Sequence, residues 1–289
     1  MNSATLHVPA LAEVFAEMPG DLRPVQSGLW QVALSDKDSV QARIVDDWLV
    51  MTSPVLEPRC AADLLECNGR LLGWVKFALD ANGAFQVRAE LPLDETRLDA
   101  PAVHQALAEF RVAHAMLRGE FPLPVPPDPL TAAAQADLIS LCAEAGWPAV
   151  PRGEDSVAVE LECRGSFHQA LLGPGAAGLR AVTGFAPSDS SDAEAAEAVA
   201  HFLLAASAEV CMVRPVVETL AGKTTPKFEF LFSSYPSAAL VAHAFAALSV
   251  ASRICVEEVR VLRDPNVARD YLALRGGESS ASGRSATYN

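Results

Sequence analysis

A glycine-rich stretch in the second half of the chain has the spacing of a dinucleotide-binding loop. Gly173-Pro-Gly-Ala-Ala-Gly178 matches the pattern G-x-G-x-x-G, whose glycines let the backbone approach a pyrophosphate at the start of a helix. The segment that follows, Leu179–Phe185, has the character of a β-strand instead. We therefore expect a connection between two strands here and no cofactor site.

A second stretch, Gly222-Lys223-Thr224, has the residue types that end a nucleotide-binding P-loop. That motif also requires a glycine five residues before Gly222, and this position holds Val217. Pro226 and a strand-like segment follow where the motif needs a helix. The sequence thus predicts no bound nucleotide, and we expect no cofactor of any kind.

The six histidines and six cysteines lack the spacings of metal ligands. There is no H-E-x-x-H and no C-x-x-C. The closest pairings, Cys163 with His168 and His243 with Cys255, each supply two ligands where a zinc site needs three or four. In a chain of this length the cysteines are expected to be small buried residues and not a disulfide framework. No metal site is predicted.

Nucleophilic and acid–base catalysis are not indicated by any local motif either. The chain contains no G-x-S-x-G, and Gly165-Ser166 lies where a hairpin turn is expected. Adjacent acids such as Asp46-Asp47 are typical of solvated turns. We expect a protein that is not an enzyme, and an enzyme of unfamiliar type is one alternative.

Composition narrows the range of functions further. The 289 residues are 51% hydrophobic and carry a net charge of −14. Residues 1–120 hold 10 bases and 17 acids and residues 121–289 hold 12 and 19, so each part carries −7. An acidic chain repels phosphate backbones, and we expect no nucleic-acid partner. The first twenty residues contain no Lys or Arg, and we find no uninterrupted run of 18 apolar residues. A cytoplasmic protein without a membrane segment is the expectation.

Proline and glycine content divides the chain. Five prolines lie between Pro122 and Pro129, and because proline fixes φ and lacks an N–H, residues 121–130 are predicted to form an extended linker. Residues 276–289 are rich in Gly and Ser and are predicted to form a flexible tail. Two predicted domains remain, residues 1–120 and 131–275.

The first domain is predicted to combine helices with antiparallel strands. A helix around Pro9–Met18 precedes three alternating strands between residues 30 and 52. A helix at 60–72, a hairpin whose turn contains Asn82-Gly83, and a closing helix follow. Strands joined by hairpin-length loops indicate the α+β class.

The second domain repeats this order. A helix at 131–145 is followed by three strands between residues 157 and 185. A helix from 192 to 210 comes next, and Ser191 with Glu194 has the spacing of a capping box for it. Two strands and a long closing helix complete the domain. Each copy thus has the order helix–three strands–helix–two strands–helix around an antiparallel sheet.

This order resembles the type III secretion chaperone-like fold and the related bacterial YbjN-type domain, which is described as a sensory transduction regulator. The local likeness lies in Leu65-Glu-Cys-Asn-Gly-Arg-Leu-Leu-Gly73, the hairpin Trp74–Leu91, Leu93-Asp94 and, in the second copy, Leu141-Cys-Ala-Glu-Ala-Gly-Trp147. The resemblance implies two tandem acidic, non-enzymatic domains that hold partner polypeptides and pair as an intramolecular pseudo-dimer. It implies no catalytic residue and no cofactor.

Aromatic residues are the candidates for a binding surface. Phe228, Phe230 and Phe232 fall on one face of a predicted strand, and Trp30 and Trp48 lie near element edges. We predict that these five contact a protein or peptide partner, and burial of the three phenylalanines in the core is the alternative. The expected function is protein binding of a chaperone-like or regulatory kind. A structural or assembly unit with no client is another alternative, and any further oligomerisation is left open.

Overall fold

Twelve strands form two antiparallel sheets in the described part of the chain, which confirms the α+β class. The first sheet contains β1 (Leu22–Gln26), β2 (Leu29–Ala33), β3 (Ser39–Val45), β4 (Trp48–Pro54), β5 (Lys76–Leu79) and β6 (Phe85–Pro92). The second contains β7 (Ala149–Arg152), β8 (Ser156–Cys163), β9 (Ser166–Gly175), β10 (Gly178–Gly184), β11 (Arg214–Leu220) and β12 (Lys223–Phe232).

Six helices accompany these strands in the same part of the chain. They are α1 (Ala61–Asn68), α2 (Ala100–Leu117), α3 (Gln135–Glu144), α4 (Ala193–Glu209), α5 (Ala238–Val261) and α6 (Pro265–Ser282). The computed structural model describes residues 22–26, 28–46, 48–57, 59–92, 100–120, 134–163, 165–175, 178–186, 192–220, 223–232 and 235–282. The predicted helix at Pro9–Met18 and the predicted linker at 121–130 lie outside these ranges.

The two sheets have the same topology. Their strand orders are β1-β2-β3-β4-β6-β5 and β7-β8-β9-β10-β12-β11. In each half a helix connects the fourth strand to the fifth, and a longer helix follows the sixth. The register agrees as well, because Val50 faces Glu90 across β4 and β6, and Val182 faces Glu229 across β10 and β12. The repetition of elements predicted from the sequence is therefore present in the strand pairing.

Four strands, and not the predicted three, precede the middle helix of each half. The strands missing from the prediction are β1 and β7, at the outer edge of each sheet. Each is short and contains a proline, Pro24 and Pro151, and prolines in sheets are confined to edges because they cannot donate to the ladder. The side chains of β7 from Val150 to Arg152 are also exposed, so the sequence shows no buried alternation there.

Two helix ends differ from the prediction. Asp192 is the N-cap of α4, since its Oδ1 accepts hydrogen bonds from the N–H groups of Glu194 (2.9 Å) and Ala195 (3.0 Å). The predicted cap, Ser191, lies outside the described residues. Helix α6 continues to Ser282, so residues 276–282 of the predicted tail are helical. Once a helix is nucleated each further residue adds a hydrogen bond, which offsets the poor helix propensity of Gly276 and Gly277.

Helix α5 is the central core element of the second half. By length and composition alone it is long and apolar enough to cross a membrane, with a mean hydropathy of 1.8 over an 18-residue window. In the structure it packs on β8, β10 and β12 and on α3. Phe245, Leu248 and Cys255 on this face are fully buried. One apolar stripe against a sheet is typical of a core helix, which is how we interpret α5.

Candidate functional site

The two halves meet through their middle helices. Helix α1 packs against α4, α4 lies against β5, and α1 lies against β11. Since β5 and β11 are the edge strands on the inner side of each sheet, each half covers an edge of the other. Covering an edge removes a template for unwanted strand pairing, and the coverage is complete for the side chains of β5 and for Arg214–Val216 of β11, whereas Glu218–Leu220 are exposed.

A side chain of the second half caps the N-terminus of helix α1 in the first half. Glu197 on α4 accepts hydrogen bonds from the N–H groups of Ala61 (2.7 Å) and Ala62 (2.9 Å), the first residues of α1. Cys60, the N-cap position of α1, provides no side-chain cap of its own but donates its thiol to Glu197. The carboxylate therefore satisfies helix N–H groups and sits at the positive end of the helix dipole.

A buried lysine lies deeper in the same junction. The Nζ of Lys76 donates to the carbonyl oxygens of Ser207 (2.6 Å), Val210 (3.2 Å) and Val213 (3.0 Å), which follow one another at the end of α4 and the start of β11. It also lies 3.1 Å from Oε2 of Glu90. Burial lowers the pKa of the Lys76 ammonium, and the Glu90 carboxylate opposes that shift. The ammonium is a structural tie between the halves and has no open side for a ligand.

Arg214 of the second half makes the corresponding contact with the backbone of the first half. Its guanidinium pairs with Glu229 at 2.5 Å and donates to the carbonyl oxygen of Gly73 in the first half at 3.2 Å. A side chain at Gly73 would displace the Glu109 carboxylate, because a Cβ would lie 1.6 Å from Oε1 of Glu109. Glu109 on α2 accepts from the N–H of Val75 at 3.1 Å, and burial raises its pKa. Each half thus places a buried cation on backbone carbonyls of the other.

An apolar groove opens beside this junction. It encloses about 640 Å³ between α1, α4 and the ends of β11 and β12. Its lining is made mainly of small and aliphatic side chains, with charged groups among them: Ala62, Leu65, Ala195, Ala196, Val199, Ala200, Val217 and Pro226, with Glu66, Asp192 and Arg263. Its size and apolar character are those of a site for a small ligand or for a few side chains of a peptide.

The aromatic residues singled out from the sequence lie elsewhere. Phe228, Phe230 and Phe232 are at most 2% exposed and pack in the core of the second sheet, so this face of β12 offers no open platform. Trp30 is 5% exposed in the first core, and Trp48 is half-buried against His243 on α5, with ring centroids 5.1 Å apart. The three phenylalanines are therefore buried in the core, which is the alternative given above. Helix α5 packs on β12 and covers this face of the strand.

Strands, and not helices, follow both glycine-containing motifs in the described residues, as the sequence predicts. Gly173–Gly178 spans the connection of β9 to β10, and Lys223-Thr224 begins β12. Within the described residues no group of three or more His, Cys, Asp or Glu side chains is placed to hold a metal ion. The six cysteines are free thiols, and burial raises the pKa of Cys142 to about 11 and of Cys255 to about 12.

The groove residues were not predicted from the sequence. They come from α1 in the first half and mainly from α4, β11 and β12 in the second, and six of the thirteen are alanine or valine, whose types carry no functional signal. The one available signal was the alanine content of α4, which leaves open space where a larger side chain would fill it.

Comparison with known proteins adds no identification. No protein-family model, curated protein or solved structure matched the chain.

Proposed function

We propose that the protein binds a partner polypeptide in the apolar groove between its two halves. The observation that carries this proposal is the groove itself, which exposes aliphatic surface between α1, α4 and the ends of β11 and β12. The partner we infer is a segment with one or two apolar side chains flanked by basic residues. The net charge of −14 favours such a segment.

Selection of random peptides on the immobilised full chain tests this proposal. We expect enriched peptides to share an apolar and basic pattern, to bind with a dissociation constant in the micromolar range, and to bind more weakly at high salt. Ala196→Trp should fill the groove and weaken binding by tenfold or more. Ala143→Trp, on the exposed side of α3, is the matched control and should bind as the unmodified protein does.

Failure has a definite form in this experiment. If no enriched peptide distinguishes Ala196→Trp from Ala143→Trp, the groove is not a binding site. That outcome would favour a structural or assembly unit without a client, and burial of the candidate aromatic residues in the core is consistent with this second candidate.

A further inference from the structure

A serine, a histidine and an acid from three elements of the first half form a connected row. Ser53 lies at the end of β4, His114 in the last turn of α2, and Asp38 in the turn between β2 and β3. The Oγ of Ser53 is 2.9 Å from Nε2 of His114, and Nδ1 of the same ring is 3.5 Å from Oδ1 of Asp38. The hydroxyl and the carboxylate therefore contact opposite nitrogens of one imidazole, which is the arrangement that activates a serine nucleophile.

The row borders a cavity of about 700 Å³. Ser53, His114 and Asp38 all line it. Ser53 is 1% and His114 7% exposed, so neighbouring side chains must move before an ester can contact the hydroxyl. Aliphatic side chains form part of the wall, namely Val55, Leu56 and Leu117. Charged side chains of both signs line the same cavity, namely Lys37 and Arg118 with Asp36, Asp38 and Glu57.

We infer that Ser53, His114 and Asp38 form an acyl-transfer site for carboxylic esters with a short apolar acyl group. Ser53 and His114 are the catalytic residues, and Asp38 is a positioning residue for the imidazole. The aliphatic wall receives the acyl group. Arg118 is paired with Asp38 (3.0 Å) and Glu120 (2.9 Å), so Lys37 is the cation that we expect to stabilise the oxyanion on the carbonyl oxygen.

The reaction needs only the ester and water. The Oγ of Ser53 bonds to the carbonyl carbon while its proton passes to Nε2 of His114. The bond to the alcohol oxygen then breaks, and that oxygen takes the proton from His114. A water molecule repeats the sequence on the acyl-serine and releases the acid, which leaves Ser53 and His114 as they began.

No local motif signalled this site. The nucleophile elbow G-x-S-x-G is absent, and Ser53 is 61 residues from His114 along the chain. The histidine was one of six without a recognisable spacing. Only the packing of α2 on the first sheet brings the three side chains together.

Covalent labelling of the full chain tests the inference directly. A fluorophosphonate probe and p-nitrophenyl butyrate are offered to the folded protein, and peptide mass mapping locates the label. We expect Ser53 to be phosphonylated and the ester to be hydrolysed. Ser53→Ala should abolish both. Ser140→Ala is the matched control, because Ser140 is exposed on α3, outside the cavity, and its hydroxyl donates to the carbonyl oxygen of Ala136.

Two further variants distinguish a catalytic row from three residues that serve only the fold. His114→Gln should lower the labelling rate by at least a hundredfold in protein that unfolds at the same urea concentration as the original. Asp38→Asn should lower it about tenfold and move the acid limb of the pH profile to lower pH. The reason is that burial and the Arg118 charge lower the pKa of His114, while the Asp38 carboxylate opposes them.

Absence of label on Ser53 in the folded, unmodified protein would overturn the inference. Labelling that survives both His114→Gln and Asp38→Asn in folded protein would overturn it too. If His114→Gln does not fold, the pH profile of Asp38→Asn decides. The groove between the halves takes no part in this experiment, so failure here is separate from failure of the peptide-binding proposal.

Discussion

The side chain of Lys76 joins the two halves through several contacts at once. Its ammonium is fully buried yet has four oxygen neighbours, three of them carbonyl groups of the other half. Desolvation of a charge is expensive, and here carbonyl dipoles and the Glu90 carboxylate replace the lost water. Met212 takes a left-handed conformation (φ 61°) whose N–H donates to the same carboxylate at 3.1 Å. The left-handed backbone at Met212 thus directs an N–H group towards the Glu90 carboxylate.

Removing the ammonium should strongly destabilise the protein. Lys76→Met leaves Glu90 with Arg88 as its remaining charged partner and three carbonyl groups without a donor, so we expect the free energy of unfolding to fall by about 3–5 kcal/mol. Urea denaturation measures it. Lys37→Met, at an exposed position, should change it by less than about 0.5 kcal/mol. A loss below about 1 kcal/mol for Lys76→Met would show that the buried pair contributes little.

His243 should make the protein sensitive to mild acid. It lies between Trp48 and Phe230, its Nε2 is buried without a hydrogen-bond partner, and burial lowers its pKa from 6.5. The unfolded chain then binds a proton at higher pH than the folded chain does. The stability contributed by the neutral ring is present above pH 6.5 and is lost as the pH falls through the lower folded value.

A single substitution isolates this contribution. His243→Phe keeps an aromatic ring in the apolar site and removes the titrating group. The free energy of unfolding should therefore fall less between about pH 7.5 and pH 5.5 in this variant than in the original protein. Burial also lowers the pKa values of His114 and His201, so part of the pH dependence of stability remains in this variant. His104→Phe serves as an exposed control. An unchanged slope in His243→Phe would refute the assignment.

At the level of elements, most helices and strands followed from local pattern. The Asn82-Gly83 turn, where Gly83 has φ 78°, was predicted because few other residues adopt that conformation. The alternation of Val40, Ala42 and their neighbours predicted β3, because successive side chains of a strand lie on opposite faces of the sheet. The prediction failed at β1 and β7, whose stability comes from pairing with a neighbour and not from their own residues.

Helix α1 depends on a cap from outside its own sequence. Glu197→Ala should leave the N–H groups of Ala61 and Ala62 without their acceptor, so we expect a loss of about 1–2 kcal/mol in the free energy of unfolding. Chemical denaturation measures the change, and hydrogen exchange should report faster exchange in α1. Glu144→Ala, exposed at the end of α3, is the matched control and should cost nothing. Equal effects of the two substitutions would contradict this role of Glu197.

At the level of the whole molecule, each half contributes groups that the other needs. Contacts across the junction include the Glu197 cap, the ties of Lys76 and Arg214, and the hydrogen bond from Nε1 of Trp74 to the carbonyl oxygen of Leu231 (3.2 Å). The sequence predicted a repeated element order, but it could not predict these contacts. Pairing between distant residues depends on how the helices dock, and a charge in a sequence does not show its partner.

Cleavage between the halves should therefore leave them associated. A protease site inserted into residues 121–130 should yield two fragments that elute together from a sizing column and separate only in denaturant. The Lys76→Met and Arg214→Met double variant should release them after cleavage, because both buried ties are then lost. Separate elution of the fragments from the unmodified protein would show that the junction is not a stable interface.

The shared strand order of the two sheets allows the halves to specialise. In a symmetric dimer every substitution occurs twice, so a site formed in one subunit is formed in the other. Here the halves belong to one chain and change independently. Counted from the Val50–Glu90 and Val182–Glu229 pairs, the position of Ser53 is held in the second half by Phe185, which has no hydroxyl to donate. One scaffold thus carries a polar centre in its first half and an aromatic core at the matching place in its second.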